Sequence, residues 1–481
     1  MEHYNGDIIN PEYVEHILSE IKKNNSPYID IFETEDASDY LMPNNRIDEA
    51  RILVEYSLHL HPKSIELLIL LARIYMDSHG LYDAIEILTK LPVTAIEYPD
   101  YYILWGRIEL IKSREQKAIE NFEVACKIDE DLNFEVGLNL NHFGLHKDAI
   151  RFLKPYLDKY PDDDEAQFEL AYAYEKNGML TEAQTTYEKL VDQNPFYAAA
   201  WYNLGIIYNN DNQINQINQI NKAIKAYETA ITIDPNYAEA HFNLGNIYMN
   251  ISQYEKALNS YTEYASLTIQ NKPDYSVIQY IGECWWELGN ADLARRFYKL
   301  AMKNTKGNRS LSYAYALSCM ELNDNKEALK VLNRLIASKN DAPEFHFARA
   351  QAQYNLLNKQ KAYDDLLKGL DMAPNTVMAW HEAMRMYISI NGIENIGDFL
   401  KQNKKYKSYP AFQLITFIVQ YCFLRKLSLK TVMKTLEQVA KDHKGVIYEA
   451  AEDDAVGKLF TDPNIVAVLK KYDITLHNMQ S

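Results

Sequence analysis

The sequence predicts an all-α protein, a solenoid of about ten helix-turn-helix repeats, and three observations carry that prediction. Ala50, Ala84, Ala118, Ala149, Ala183, Ala223, Ala257, Ala294, Ala328 and Ala362 follow one another at steps of 34, 34, 31, 34, 40, 34, 37, 34 and 34. A period near 34 is that of helix pairs stacked in a row. Other residue types then hold fixed offsets from these alanines. With each Ala as repeat position 20, position 4 falls on Trp201, His241 and Trp380, and position 8 on Gly106, Gly137, Gly205, Gly245 and Gly282. Position 11 falls on Tyr75, Tyr174, Tyr208, Tyr248 and Trp285, position 24 on Phe122, Tyr187, Tyr227, Tyr261 and Tyr298, and position 32 on Pro62, Pro161, Pro195, Pro235 and Pro374. Finally, 47% hydrophobic residues and only 16 Gly make a chain rich enough to pack and poor in loop punctuation.

The pattern has a physical cause. Small residues at positions 8 and 20 let two antiparallel helices approach closely, and large residues at 4, 11 and 24 fill the space around the crossing. Each pair buries only part of its apolar face, so the next pair must cover the remainder and both ends need caps. Pro at position 32 stops the second helix, because it lacks an amide donor and disfavours α geometry in the residue before it. Gly144, Gly178 and Gly289, at position 15, suit a left-handed turn that ends the first helix. A length of 481 residues is large for one compact core, but a solenoid lengthens without enlarging its core.

In this combination the chain resembles the tetratricopeptide repeat (TPR) family, most plainly in AWYNLGIIY (Ala200 to Tyr208) and HFNLGNIY (His241 to Tyr248). The resemblance covers about residues 31–395. It implies a right-handed TPR solenoid that holds protein or peptide partners.

In chain order, residues 1–30 read as an N-terminal capping helix, with Asn10 as N-cap, Pro11 at the first helical position, and Asn24 to Pro27 as its end. The array of about ten to eleven repeats spans 31–395. Its first repeat keeps Ala37, Ser38, Leu41, Ala50 and Pro62 in register, although Pro43 shortens the first helix. The step of 40 contains QINQINQIN, and removing two of the three triplets restores 34; this reads as a tolerated 6-residue duplication within 212–221, in the turn between two helices. A further unit opens at Trp380 and Tyr387 and loses register at Ile396. Residues 396–481 then read as a helical cap of about three more helices, the last opening at Asp462 and Pro463.

Several function classes are excluded at this level. The N-terminus is polar and acidic, unlike a secretory signal. The most apolar run, Ala411 to Leu424, is too short and too polar to span a bilayer, so a buried cap helix is expected and no membrane association. Four widely spaced cysteines, Cys126, Cys284, Cys319 and Cys422, suggest neither zinc site nor disulfide framework and favour a cytoplasmic location. The whole chain carries −17; residues 401–481 have 13 Lys and Arg against 8 Asp and Glu, a balance of +5, which leaves −22 for residues 1–400. An acidic array repels phosphate backbones, so nucleic acid is not an expected partner and one rich in Lys or Arg is. The cluster Lys401, Lys404, Lys405 and Lys407 reads as a solvated linker. No HExxH, Gly-rich phosphate loop or GxSxG is present, His241, His346 and His381 sit on repeat helices, and neither catalytic residues, metal nor cofactor is expected.

In the TPR family the first helices line an inner groove with positions 2, 5, 9 and 12 facing the ligand, and the register carries that geometry onto this chain. Position 5 gives Phe134, Phe168, Tyr202, Phe242, Gln279, Tyr313 and Phe347; position 12 gives Met249, Trp286, Met320 and Tyr354. Asn246, Glu283 and Leu317 stand at position 9, and Asn203 and Asn243 at position 6 offer amides to an extended peptide. Glu239, Glu283, Glu287, Glu321 and Glu344 stand around them and suit a basic partner. Tyr at 5 and Asn at 6 are ordinary for the family, whereas Trp286 between two Met is not, and such an apolar patch is seldom idle. Family members that grip a chaperone's C-terminal carboxylate use Lys and Arg beside a central Asn. Here Phe168, Tyr172, Glu239 and Asn243 flank Asn203, and Tyr202, Ile206, Ser276 and Tyr280 flank Asn243, so that cargo is not expected.

Two functions follow: a non-catalytic scaffold or adaptor holding a partner segment in the groove, or a peptide-responsive regulator that switches an effector by changing superhelical pitch. Small-angle scattering with and without ligand separates them. Self-association through a weakly capped end is also compatible with the sequence.

Overall fold

A computed structural model describes residues 11–210, 216–269, 275–305, 307–338, 341–424, 428–452 and 454–476, and every regular element among them is helical. Asn10, the expected N-cap of the first helix, lies outside the described residues. The chain divides into two compact units, residues 1–235 and 236–481.

The first unit opens with the helix Pro11–Lys22, whose Val14, Ile17 and Leu18 are buried against the first repeat. Six helix pairs follow: Ile31–Leu41 with Ile47–Leu60, Ile65–Asp77 with Leu81–Lys90, Pro99–Ile111 with Glu115–Ile128, Asn133–His142 with His146–Lys159, Asp164–Lys176 with Leu180–Gln193, and Ala198–Asn210 with Gln216–Ile233. Asp30 caps the first of these through a reciprocal box with Glu33, and that helix stops before Pro43 as expected. The second unit holds four more pairs: Ala238–Asn250 with Tyr254–Thr268, Tyr275–Glu287 with Ala291–Met302, Arg309–Glu321 with Asn325–Ile336, and Pro343–Asn355 with Lys359–Met372. Val377–Asn391 begins the extra unit at Trp380. The cap beyond it contains Ile396–Gln402, Pro410–Cys422, Leu429–Asp442, Lys444–Ala451, Asp454–Gly457 and Pro463–Lys471, more helices than the sequence separated, because the break at His443 carries neither Gly nor Pro. Among the described residues no helix is long and apolar enough to cross a membrane, and Pro410–Cys422 is instead buried in the cap core.

The close crossing is realised in every repeat. All ten alanines at position 20 have 0% exposed surface. A Cβ added at Gly205 would lie 2.6 Å from Cε1 of Tyr227, and one at Gly245 would lie 2.7 Å from Cε1 of Tyr261, so in these repeats the ring at position 24 occupies the space a side chain at position 8 would need. The helices before Pro62, Pro161, Pro195, Pro235 and Pro374 all end two residues upstream of the proline. Two of these prolines serve a second purpose: the carbonyls of Pro195 and Pro374 each accept the indole N–H of the next position-4 tryptophan, Trp201 and Trp380, at 2.9 Å.

Two features differ from the sequence reading. The triplet residues 216–221 belong to the 18-residue helix Gln216–Ile233 rather than to a turn, adding about one turn before Ala223; the rest of the insertion lies outside the described residues. The repeat QIN breaks no helix, since Gln, Ile and Asn lack the backbone restrictions of Gly and Pro. The left-handed turn at position 15 is also more general than its glycines suggest. Asn45, His79, Ser113, Ser252, Asn323 and Leu357 adopt it as well, at φ of 59°, 64°, 56°, 58°, 59° and 65°.

Leu357 is 82% exposed in that turn, so its side chain returns little for the left-handed strain of about 1–2 kcal/mol. Leu357→Gly is expected to stabilise the protein by about 0.5–1 kcal/mol after the added entropy of the unfolded chain is deducted. Gly245→Ala should do the opposite, by about 1–3 kcal/mol, through the Tyr261 clash. Urea titrations of both variants decide the two signs.

Candidate functional site

The register assigns positions 2, 5, 6 and 9 of the first helices to one face, and the N-terminal repeats show that face directly. Glu35, Asp36 and Asp39 of the helix Ile31–Leu41 and Glu66, Ile69, Leu70 and Arg73 of Ile65–Asp77 line one cavity of about 310 Å³ with Tyr98 and Asp100. Tyr98 donates to Glu66 at 2.7 Å. Burial, followed by repulsion from Glu66, Asp39, Asp100 and Asp36, holds the Glu35 carboxyl above its ordinary range. Burial likewise raises Asp39, against the attraction of Arg73. This acidic cavity was not among the residues singled out from the sequence. Carrying the same positions back into the weak first repeat would have found it.

Along the same unit, burial raises the Glu135 carboxyl, with Arg73 acting against it and Asp100 adding to it. Glu169 is raised by burial although Asn141 donates to its Oε2 at 2.8 Å. Arg107 is spent on Asp77 at 2.6 Å. Phe168 packs between Tyr187 and Tyr197, at ring distances of 5.7 and 5.3 Å, and Tyr202 meets Tyr227 at 5.7 Å. Asn203 is buried and its amide donates to the Tyr187 hydroxyl at 2.8 Å, so that donor is already used inside the fold.

The remaining candidates lie in the second unit. Phe242 is half-buried among Tyr261, Tyr264 and Tyr280, and Asn246 accepts from the Tyr261 hydroxyl at 2.8 Å. Asn243 is half-buried beside them. Position 5 therefore covers the buried ring at position 24 of its own repeat as much as it faces outward. Further on, Trp286, Tyr313, Leu317 and Met320 are half-buried on the helices Tyr275–Glu287 and Arg309–Glu321, packed on the outside of a core of Tyr298, Leu311, Tyr315, Cys319 and Leu332. Tyr313 meets Phe345 at 5.3 Å and donates to the Glu344 carbonyl. Tyr354 is 37% exposed, Phe347 lies over Gly369, and the Cys284 thiol reaches the Met249 sulfur at 3.6 Å. Gln279 donates to Glu283 at 2.7 Å, and burial raises the Glu283 carboxyl. Trp285 is half-buried, unlike Tyr208 and Tyr248 at the same register position, so the two tryptophans differ less in burial than their register implies.

Burial pushes the thiols of Cys126 and Cys284 up to about 12, which keeps them protonated near neutrality. Among the described residues no group of three His, Cys, Asp or Glu side chains could hold a metal ion.

Comparison with known proteins gives a consistent result. Models described as tetratricopeptide repeat match residues 142–205 and 238–268, and one described as TPR repeat matches 212–252. No curated protein matches. Among solved structures, YrrB, a TPR protein with an unusual peptide-binding site, is 17% identical over 41% of this chain and 96% of its own, at a TM-score of 0.36. TTC0263, a thermophilic TPR protein of Thermus thermophilus, is 21% identical over 40% and 99%, at 0.29. A chain of the APC/C hetero-tetramer Cut9-Hcn1 is 14% identical over 82% and 89%, at 0.34.

The raised carboxylates make a pH test. Because the folded state holds the Glu135 proton more tightly than the unfolded state, this group's destabilising effect is fully present above its raised pKa and vanishes as pH falls below the ordinary value of 4.5. Glu135→Gln should therefore melt above the parent at about pH 7.5, with the gap closing as pH falls towards that ordinary value. A lower melting temperature than the parent's near neutrality contradicts the assignment.

Proposed function

We propose, from the premise that this chain is a multi-repeat tetratricopeptide protein, that it is a non-catalytic scaffold or adaptor holding a segment of another protein along the first-helix face of its array. Tetratricopeptide repeats serve protein interaction in general, and each repeat here is accounted for by packing. The observation that supports this particular reading is the face of Trp286, Tyr313, Leu317 and Met320, large apolar side chains left half-open on adjoining first helices. Aromatic side chains of that kind supply the anchors of protein interfaces, and Trp at position 12 is a departure from what helix packing asks for. The acidic balance of residues 1–400 favours a partner with basic residues. Four free cysteines, none paired, suit a reducing cytoplasm. The regulator reading needs a ligand-driven change in pitch, and self-association needs an open end; neither has a specific observation in its favour.

Trp286→Ala is the test. Affinity purification supplies the partner, and the variant should bind it more weakly by about 2 kcal/mol or more. Melting of Trp286→Ala beside Trp285→Ala controls for folding, since truncating a fully buried Trp costs about 3–5 kcal/mol and a half-buried one less. Binding equal to that of the parent removes the face from the interaction.

A further inference from the structure

The four first helices of the second unit, Ala238–Asn250, Tyr275–Glu287, Arg309–Glu321 and Pro343–Asn355, contain no lysine and two arginines. Both arginines are engaged inside the fold. Arg349 holds Asp365 through two bonds of 2.8 and 2.7 Å and Asn333 through a third, and Arg309 lies over the Phe345 ring at 5.0 Å with its Nε and Nη2 buried. Positions 2, 5, 6, 9, 12 and 13 of these helices hold no Lys, Arg or His, and five carboxylates: Glu239, Glu283, Glu287, Glu321 and Glu344. Among the described residues Glu239, Glu287, Glu321 and Glu344 are exposed and their side chains make no hydrogen bond or ion pair. The apolar side chains Trp286, Leu317 and Met320 stand at positions 12, 9 and 12, between Glu283 and Glu287 on one helix and Glu321 on the next.

An apolar strip bordered on both sides by uncompensated carboxylates discriminates by charge. A neutral apolar segment would cover the strip and leave the carboxylates partly desolvated, which disfavours it. An acidic segment would add like-charge repulsion. A segment with a large apolar side chain flanked by lysine or arginine satisfies both parts, because its hydrocarbon fills the strip and its cations stay at the wet rim. Resting on the scaffold reading above, we propose that the partner segment of this face is a cationic amphipathic peptide, one bulky aliphatic or aromatic anchor between lysines or arginines. Approach of those cations would also return Glu283 towards its ordinary carboxylate range, so binding draws on a charge that the free fold disfavours.

The probes are three labelled synthetic peptides of equal length, titrated against the full chain: Leu at the centre between two pairs of lysine, the same peptide with glutamate for lysine, and the lysine peptide with serine for leucine. The lysine–leucine peptide should bind at least about ten-fold more tightly than either variant, and its affinity should fall several-fold from about 50 to about 300 mM salt. Glu287→Lys with Glu321→Lys, both exposed and so harmless to packing, should weaken that peptide about ten-fold and not strengthen the serine peptide. Should the glutamate peptide bind as well as the lysine peptide, with Trp286→Ala weakening both, the cationic assignment fails and the face survives. Binding unchanged by Trp286→Ala and by the double charge reversal would overturn the face itself, and with it the scaffold reading at this place. No binding by any of the three overturns the proposal.

Discussion

Every part of this molecule depends on how closely two antiparallel helices can cross. Position 20 is alanine in ten repeats and has no exposed surface in any of them, and where position 8 is glycine, as at Gly106, Gly205, Gly245 and Gly282, a methyl group there would overlap the ring at position 24. Close crossing maximises the number of dispersion contacts per residue, which matters in an array whose pairs each bury only part of their apolar surface. It also fixes the direction of everything else. With the ring at 24 lying over position 8, position 5 packs on that ring from the other side, as Phe168 does on Tyr187 and Phe242 on Tyr261.

That geometry divides the aromatic residues between structure and surface. Tyr187, Tyr227, Tyr261 and Tyr298 are enclosed, while the position-5 rings above them, such as Phe168 and Phe242, give one face to the enclosed tyrosine and keep the other near solvent. An aromatic row of this kind is therefore required for packing whether or not anything binds to it. At position 12, Trp286 and Met320 pack on the outside of the core and are half-buried there. The surface they leave open is what the proposed partner segment would cover.

Charge follows the same division. Several arginines of the array are committed: Arg107 to Asp77, Arg349 to Asp365, Arg295 and Arg296 to Asp292. Several carboxylates of the first helices are instead held above their ordinary range by burial and by neighbouring carboxylates. A fold that tolerates such repulsion gives up stability at neutral pH, and a positively charged ligand would relieve it.

The sequence by itself determined the repeat, its period, the pairs from residue 31 to 372 and the close-packed positions, because a solenoid writes the same local constraint ten times and each copy reinforces the reading. It also separated the acidic array from its mildly basic cap by counting charges. Tertiary structure alone decided three things. It showed that the left-handed turn recurs at Asn45, His79, Ser113, Ser252, Asn323 and Leu357, where no glycine marks it, because tertiary packing of the pair outweighs about a kilocalorie of backbone strain. It placed Gln216 to Asn221 in a lengthened helix where the sequence reading put a turn, since the spacing marks an insertion but not which element absorbs it. And it gathered Glu35, Asp36, Asp39, Glu66 and Asp100 around one cavity, and enclosed Asn203 against Tyr187, since which polar group meets which across two helices depends on distances between elements that no local pattern encodes.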